Sequence, residues 1–184
     1  MPETYPYDFP DLISDAIDIW DQNAEWWDDK VGDGNEFLKL LIEPLTHELL
    51  HIQLGERVLN IACDGGRLAG QLVDQGARVT SIYHSKQFIN RERKRSTGYG
   101  DELDYKVINA ADMDPLLALG EQSFDAAVIS MAIMDMAVIS TPIRCRRDFS
   151  NLTDEPCFPS PTRRSIHPIS RCMVNVERST ETVG

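Results

Sequence analysis

The sequence lacks any long apolar segment. Its 184 residues contain no run approaching the roughly 18 apolar residues that a membrane-spanning helix needs. The longest candidate, residues 126–139, is interrupted by Ser130 and Asp135. The first twenty residues contain no Lys or Arg, whereas a secretory signal begins with a basic segment. We therefore expect a cytoplasmic protein with no membrane partner.

Cysteine is scarce, and its spacing is not that of a metal site. The chain contains neither a C-x-x-C motif nor the Cys/His pairs that are typical of zinc sites. Cysteines of a cytoplasmic protein stay reduced. We therefore expect no disulfide framework and no bound metal. The four cysteines are Cys63, Cys145, Cys157 and Cys172.

Basic residues are few in the N-terminal part of the chain. The formal net charge is −12 at pH 7, and residues 1–50 hold 13 acidic but only 2 basic side chains. An acidic chain repels phosphate backbones, so we expect no nucleic-acid partner. The basic cluster at residues 91–95 is interpreted as the solvated face of a helix.

Composition divides the chain into three parts. Residues 1–35 are acidic and aromatic, and their apolar positions recur at helical spacing, which predicts a helical cap. Residues 36–140 alternate between helical stripes and short apolar runs, which predicts the folded core. Residues 141–184 contain five Pro and seven Arg but no Lys or Ala, and show no sustained period. This last part is predicted to be an irregular or disordered tail.

The core pattern predicts an α/β fold. Short apolar runs separated by one helix each form βαβ units, so the sheet should be parallel, with helices on both faces. We predict about four strands, with the sheet ending after the fourth. The strands are predicted at residues 57–62, 77–83, 104–109 and 124–130, and the helices between them at 66–75, 85–96 and 115–119.

A further helix should precede the first strand and end at Gly55. One face of this helix carries an apolar stripe. The stripe consists of Phe37, Leu41, Leu45, Leu49 and Ile52.

The fold predicts where a ligand binds. In doubly wound sheets, ligands lie at the carboxyl ends of the strands, where small residues after the first strand let the backbone approach. A side chain about 20 residues further on, at the end of the second strand, can hold a ribose. Here these positions are the loop Ala62-Cys63-Asp64-Gly65-Gly66-Arg67 and the pair Tyr83-His84.

Residues 20–137 resemble a class I S-adenosylmethionine-dependent methyltransferase, and are most similar to small-molecule methyltransferases of the type 11/12 kind. The resemblance implies a Rossmann-like core, S-adenosylmethionine as cofactor and a small-molecule substrate. It also makes Trp26 and Asn35 candidates for a cap over the cofactor. It is carried by residues 55–69 (GERVLNIACDGGRLA), 76–85 (GARVTSIYHS), 109–112 (NAAD) and 123–128 (SFDAAV).

The resemblance also implies a set of cofactor-binding residues, although it assigns no catalytic residue. They follow the carboxyl ends of the first, second, third and fourth strands. The set is Asn60, Ala62, Cys63, Asp64, Gly66, Tyr83, His84, Asn109, Ala110 and Ser130.

Several of these residues depart from the family pattern. The family has an acidic residue at position 60 and a glycine at position 64, where this chain has Asn60 and Asp64. The family's ribose-binding acid is replaced by Tyr83, and a phenol cannot hold two hydroxyls as a carboxylate does. Asn109, in place of an acid, can still accept a bond from the adenine amino group. At about 1–2 kcal/mol each, the changes at 60, 64 and 83 weaken cofactor binding by roughly 10²–10⁴-fold.

Two alternatives concern function. The chain is either a methyltransferase-like protein with a weakened cofactor site, or a non-catalytic remnant or protein-interaction module of the same fold. A remote third is a zinc metallopeptidase, because His47-Glu48-Leu49-Leu50-His51 fits the H-E-x-x-H helix signature. No third zinc ligand is evident from the sequence.

The tail does not follow the family. After the fourth strand, the family continues with a helix, a tight turn, a fifth strand and an antiparallel pair, and none of these is visible after Ile139. We therefore expect the C-terminal part of the family fold to be missing. Two explanations stay open: translation out of frame, or a natural but unusual tail.

Overall fold

The computed structural model describes residues 8–32, 34–63, 65–120, 123–149 and 171–174, with the backbone alone for 145–149 and 171–174. None of the helices within these ranges is long and apolar enough to cross a bilayer. The helices are α1 (Ile13–Val31), α2 (Glu43–Leu50), α3 (Arg67–Asp74), α4 (Lys86–Arg95), α5 (Met113–Leu117) and α6 (Ser140–Phe149). The strands are β1 (Arg57–Ile61), β2 (Arg78–Tyr83), β3 (Leu103–Val107), β4 (Ala126–Ile129) and β5 (Arg171–Val174).

The strands form one parallel sheet in the order β3-β2-β1-β4-β5. Ile61 at the end of β1 is in register with Ile82 of β2 and with Ile129 of β4, so these three strands end at the same level. The strand order reverses between β1 and β4, and a crevice opens at such a switch point. The predicted α/β class and parallel Rossmann-like sheet are confirmed.

Helices cover both faces of the sheet, which explains the nearly continuous apolar runs of the strands. Val58 of β1 packs in the core beneath α1 to α4, whereas Leu59 and Ile61 pack in a second core with Leu116 of α5. The four core residues are at most 3% exposed. Helix α6 lies next to α5.

Two segments of the predicted tail are regular, which corrects the expectation of an irregular tail and a sheet ending at β4. Ser140–Phe149 is helix α6, and Arg171–Val174 pairs with β4 as a fifth strand. An unpaired β4 would leave a row of backbone donors and acceptors open, and β5 satisfies them. Four residues are too short to produce a readable period, so composition concealed the strand. The rest of the predicted tail lies outside the described residues.

The apolar stripe before β1 mostly faces outward. Leu41, Leu45 and Leu49 are 45–58% exposed, whereas Leu50 is fully buried and Thr46 is 1% exposed. The stripe is not buried because the polar side of α2 faces α3 instead. Polar residues of α2 form hydrogen bonds with residues of α3. Ile52 is the exception, since it packs against the core.

Candidate functional site

A cavity of about 260 Å³ lies at the carboxyl ends of β1, β2 and β4. Helix α1 forms its cover, and the segment after β4 forms the opposite wall. Its lining is mainly apolar and includes no Lys or Arg among the described residues. The lining residues from the strand ends are Ala62, Ile82, Tyr83, His84, Ile108, Asn109, Ala110, Ala111, Ser130, Met131 and Ala132.

Most of the predicted site residues surround this cavity. They come from four separate strand–helix loops, which the parallel sheet brings to one edge. Their convergence is what the switch-point argument requires. The six that line the cavity are Ala62, Tyr83, His84, Asn109, Ala110 and Ser130.

Three of the predicted residues lie outside the cavity lining. Asn60 is 2% exposed within β1, where its Nδ2 donates to Ser81 Oγ over 3.4 Å. Cys63 is 7% exposed, and its thiol donates to Glu92 Oε2 over 3.2 Å. Both side chains therefore support the strand and loop from below rather than facing a ligand. Gly66 also lies behind the lining, and Asp64 lies outside the described residues.

Gly66 is required by close packing. It begins α3 with a φ of 70°, and a Cβ there would lie 2.9 Å from Glu92 Cγ and 3.0 Å from Tyr105 Oη. Any side chain would both strain the backbone and displace Glu92, which is 1% exposed. This glycine lets the loop after β1 sit directly on α4 and β3.

Two residues without a glycine's freedom adopt left-handed backbone conformations next to the cavity. Ala62 after β1 has a φ of 55°, and Met131 after β4 has a φ of 56°. Both line the cavity, one on each side of the switch point. Such backbone costs about 1–3 kcal/mol and is concentrated at functional sites. The loop after β1 therefore keeps a left-handed turn at Ala62 at a cost in strain.

At the end of β2, aromatic rings form a stack. The Tyr83 ring lies 4.5 Å from the His84 ring at an angle of 28°, and it meets the Phe88 ring edge-on at 5.0 Å. Tyr83 is 6% exposed. The position that carries the ribose-binding acid in the resembled family is therefore part of the core as well as of the cavity wall.

Two titratable side chains of the lining have shifted pKa values. Burial lowers the pKa of His84 below 6.5, and the nearby Asp21 carboxylate opposes that shift in part. Burial raises the pKa of Asp135, at the cavity edge after β4. The imidazole is therefore neutral near pH 7 and offers one N–H and one lone pair.

Asn109 is partly engaged by its own loop. Its Oδ1 accepts the backbone N–H of Ala111 over 3.0 Å, which closes the turn after β3. The second lone pair of Oδ1 stays available for a donor.

Helix α1 covers the cavity and is fastened to α4 by charge. Trp20, Trp27 and Asn35 line the cavity, whereas Trp26 is 58% exposed and points away. Of the two cap candidates, the structure therefore brings Asn35 to the cavity but not Trp26. The buried carboxylate of Asp28 pairs with Arg91 and Arg95 of α4.

The residues that sequence reasoning missed come from α1 and from the segment after β4. They are apolar and carry no motif, and three of them belong to the predicted N-terminal helix whereas five follow the fourth strand. A clustering of methionine after the fourth strand was the one available signal. They are Ile13, Ala16, Ile17, Met131, Met134, Met136, Ala137 and Val138.

The H-E-x-x-H alternative does not fit the geometry. Both ring nitrogens of His47 are engaged, Nε2 with Gln71 Oε1 at 3.2 Å and Nδ1 with Gln75 Nε2 at 2.7 Å. His51 ends α2 with a φ of 45° and so leaves the helical face that the motif requires. No cluster of three metal-ligating side chains occurs within the described ranges. The metallopeptidase reading is therefore wrong.

Comparison with known proteins places the fold and cavity in context. A family model described as a methyltransferase domain matches residues 59–150, half of the 184 residues. The ubiquinone biosynthesis O-methyltransferase of Xanthomonas axonopodis pv. citri is 33% identical over 104 residues, which cover 55% of this chain and 41% of that protein. The protein of that name from Nitrosococcus oceani is 36% identical over 88 residues, 46% of this chain and 36% of that protein. The chain thus spans about two fifths of these relatives.

Solved structures show a similar partial overlap. A SAM-dependent methyltransferase from Thiobacillus denitrificans, in complex with S-adenosyl-L-homocysteine, is similar with a TM-score of 0.46 at 18% identity, over 58% of this chain and 42% of that one. One from Geobacter sulfurreducens, also in complex with S-adenosyl-L-homocysteine, gives a TM-score of 0.45 at 18% identity, over 55% and 40%.

Proposed function

Because the chain belongs to the class I S-adenosylmethionine-dependent methyltransferase family, we propose that its cavity binds S-adenosylmethionine and supports methyl transfer to a small molecule. The observation that carries the proposal is the convergence of six predicted positions, from four loops, on one cavity. The left-handed Ala62 and Met131 support it, because both strained positions border the same space.

The lining suggests how the cavity is divided. Asn109 and Ala110 lie where the resembled family holds adenine, and Tyr83 with His84 lies where it holds ribose. The cofactor supplies an electrophilic methyl group on a sulfonium. The remaining wall, from α1 and the segment after β4, is then left for the acceptor.

The acceptor space favours an uncharged, apolar molecule. It is lined by Trp20, Met131 and Met136, and no cation of the described lining is present to neutralise a phosphate or carboxylate. Desolvating an unpaired anion there is costly. The names of the curated relatives support oxygen as the methylated atom. Acceleration then comes mainly from holding the acceptor oxygen against the methyl group.

We further propose that cofactor binding is weak. Tyr83 takes the place of a carboxylate and is held in the aromatic stack, so its ring cannot bridge two hydroxyls. Asp64 adds a Cβ and a negative charge to the loop sequence where the family has glycine.

Calorimetry and thermal unfolding with S-adenosylhomocysteine test the proposal. We expect one site per chain with a Kd above about 100 μM, together with a rise in Tm that grows with ligand concentration. Ala111→Trp should fill the cavity and abolish both effects, whereas Ala118→Trp, on an exposed residue outside the lining, should leave them intact. Absence of binding at 10 mM, a concentration of about a hundred such Kd values, contradicts the proposed function.

Binding of the same ligand also distinguishes an active methyltransferase from the non-catalytic alternative. Binding that Ala111→Trp abolishes, without methyl transfer to any neutral phenol or catechol offered, identifies a cofactor-binding remnant. A Kd in the low micromolar range contradicts the proposed weakness while leaving the methyltransferase function in place.

A further inference from the structure

Two buried polar atoms near the cavity have no hydrogen-bond partner within the described part of the chain. They are Oδ1 of Asp21, on α1, and Nε2 of His84, directly after β2. An unsatisfied buried donor or acceptor is costly, and in native structures each calls for an explanation. Nothing in the motif at the end of β2 explains the pair, since Asp21 precedes His84 by 63 residues.

A series of ring contacts links the turn of α1 that carries Asp21 to the end of β2, where His84 lies. The Trp20 ring lies 6.4 Å from the Phe88 ring, Phe88 meets Tyr83 at 5.0 Å, and Tyr83 stacks on His84 at 4.5 Å. The turn of α1 that carries Asp21 therefore covers the end of β2. Burial lowers the pKa of His84, and the charge of the Asp21 carboxylate opposes that shift.

The tautomer of His84 follows from these surroundings. Burial lowers its pKa, so the ring is neutral and carries one N–H. A carboxylate accepts hydrogen bonds only, so the Asp21 charge favours an N–H on the ring nitrogen nearer to it. The other ring nitrogen then carries the lone pair, and His84 lines the cavity.

We propose that His84, oriented by Asp21, accepts a hydrogen bond from one ribose hydroxyl of the cofactor and thereby replaces in part the acid missing at Tyr83. The inference rests on the proposed function. His84 contacts the ligand, whereas Asp21 is a positioning residue that acts through the imidazole. One neutral acceptor serves one hydroxyl, so the second hydroxyl of the diol gains nothing from His84.

Binding of S-adenosylhomocysteine and its 2′-deoxy and 3′-deoxy analogues tests the pair. His84→Phe keeps the ring stacked on Tyr83 but removes both nitrogens, and Asp21→Asn keeps the shape but removes the charge. Asp18→Asn, on an exposed residue of the same helix, is the matched control. Thermal unfolding of each free variant confirms the fold, and His84→Leu provides a second variant if His84→Phe does not fold.

We expect His84→Phe to weaken S-adenosylhomocysteine binding by roughly three- to tenfold, which is the worth of one hydrogen bond. The same substitution should leave one deoxy analogue unaffected, namely the one that lacks the hydroxyl bound by His84. Asp21→Asn should weaken the parent ligand by a smaller factor and add nothing to His84→Phe, since it acts through the ring. Asp18→Asn should change neither.

Three results would overturn the inference. His84→Phe and His84→Leu could bind the parent ligand as the wild type does, or lose affinity equally for all three ligands, or be fully additive with Asp21→Asn. In each case the wild type still binds S-adenosylhomocysteine, so the proposed function survives. If the wild type binds none of the three ligands at 10 mM, a concentration about a hundred times the lower bound of about 100 μM expected for Kd, the proposed function fails and the inference fails with it.

Discussion

Helices α1 and α2 both show an apolar period, yet the apolar face of α1 is buried whereas the apolar stripe of α2 faces outward. In α1, Trp20, Ala24 and Trp27 pack against the core, and the buried Asp28 is paired with α4. The apolar side of α1 therefore also becomes the cover of the cavity. The buried, paired Asp28 and the apolar side chains therefore hold the same side of α1 against the rest of the domain.

In α2 the polar anchor lies on the opposite side from the apolar stripe. Glu43 Oε2 accepts from Arg67 Nη2 over 3.1 Å and from Gln71 Nε2 over 2.8 Å, while His47 contacts Gln71. These contacts hold the polar side against α3, so Leu45 and Leu49 face outward. An apolar period therefore identifies a helix but does not by itself decide which face of that helix is buried.

The largest effect should distinguish adjacent leucines of α2. Leu50→Ala removes a fully buried side chain and should lower the free energy of unfolding by about 3 kcal/mol. Leu49→Ala, at 58% exposure, should change it by less than about 0.5 kcal/mol. Urea denaturation measures both. Equal losses would mean that the stripe is buried in solution and that α1 and α2 do not differ in the burial of their apolar faces.

The next effect concerns the anchor of α1. Asp28 is 5% exposed, and Asp28→Asn leaves two arginines without their shared carboxylate. Because those arginines are partly exposed, we expect a loss of about 2 kcal/mol, between the values for surface and buried ion pairs. The free energy of unfolding from urea titration gives the loss. Asp29→Asn, on the exposed neighbour, is the control, and a comparable loss there would remove the anchor's special role.

The polar anchor of α2 should make stability depend on pH. Hydrogen bonds from Arg67 hold the pKa of Glu43 below its ordinary 4.5. A carboxyl whose folded pKa is depressed stabilises the fold above its unfolded pKa, and this contribution is lost as the pH falls through the folded pKa. Glu43→Gln should therefore cost up to about 1 kcal/mol at pH 7 and nothing once Glu43 is protonated.

Urea midpoints of the wild type and Glu43→Gln, measured from pH 7 down to pH about 3, follow that difference. Glu48→Gln on the exposed side of α2 is the matched variant. If the difference in urea midpoint between wild type and Glu43→Gln stays constant with pH, packing rather than charge holds α2 against α3.

The smallest effect is expected on the outward stripe. Leu41→Gln and Leu45→Gln replace side chains that are 47% and 45% exposed, and each should change stability by less than about 0.5 kcal/mol. Chemical denaturation again provides the measurement. A loss above about 2 kcal/mol at either site would indicate a core position.

Local patterns predicted the elements of the core well. The apolar runs ending near Ile61, Tyr83 and Ile129 became neighbouring strands, and Ser85 caps α4 by accepting the Phe88 N–H over 3.3 Å. Each of these features depends on residues close together in the chain. The positions of Ala62 and His84 around the cavity follow directly, because parallel strands end at one edge.

Features that depend on distant residues escaped prediction. The pairing of β5 with β4 joins segments more than 40 residues apart, and Trp20, the neighbour of Asp21, packs against Phe88 because α1 lies over the sheet. The loop sequence also suggested that Asn60 and Cys63 face a ligand, whereas both point into the interior. Strand alternation assigns a residue to a face, but the helices packed there decide what that face meets.

Local periodicity and turn residues determine the order of strands and helices along the chain, the class of the fold and the edge of the sheet at which the cavity opens. The tertiary structure decides which helical faces are buried, that a fifth strand pairs with β4, and that α1 covers the end of β2. Those outcomes depend on competition between contacts far apart in the chain, which no local pattern records.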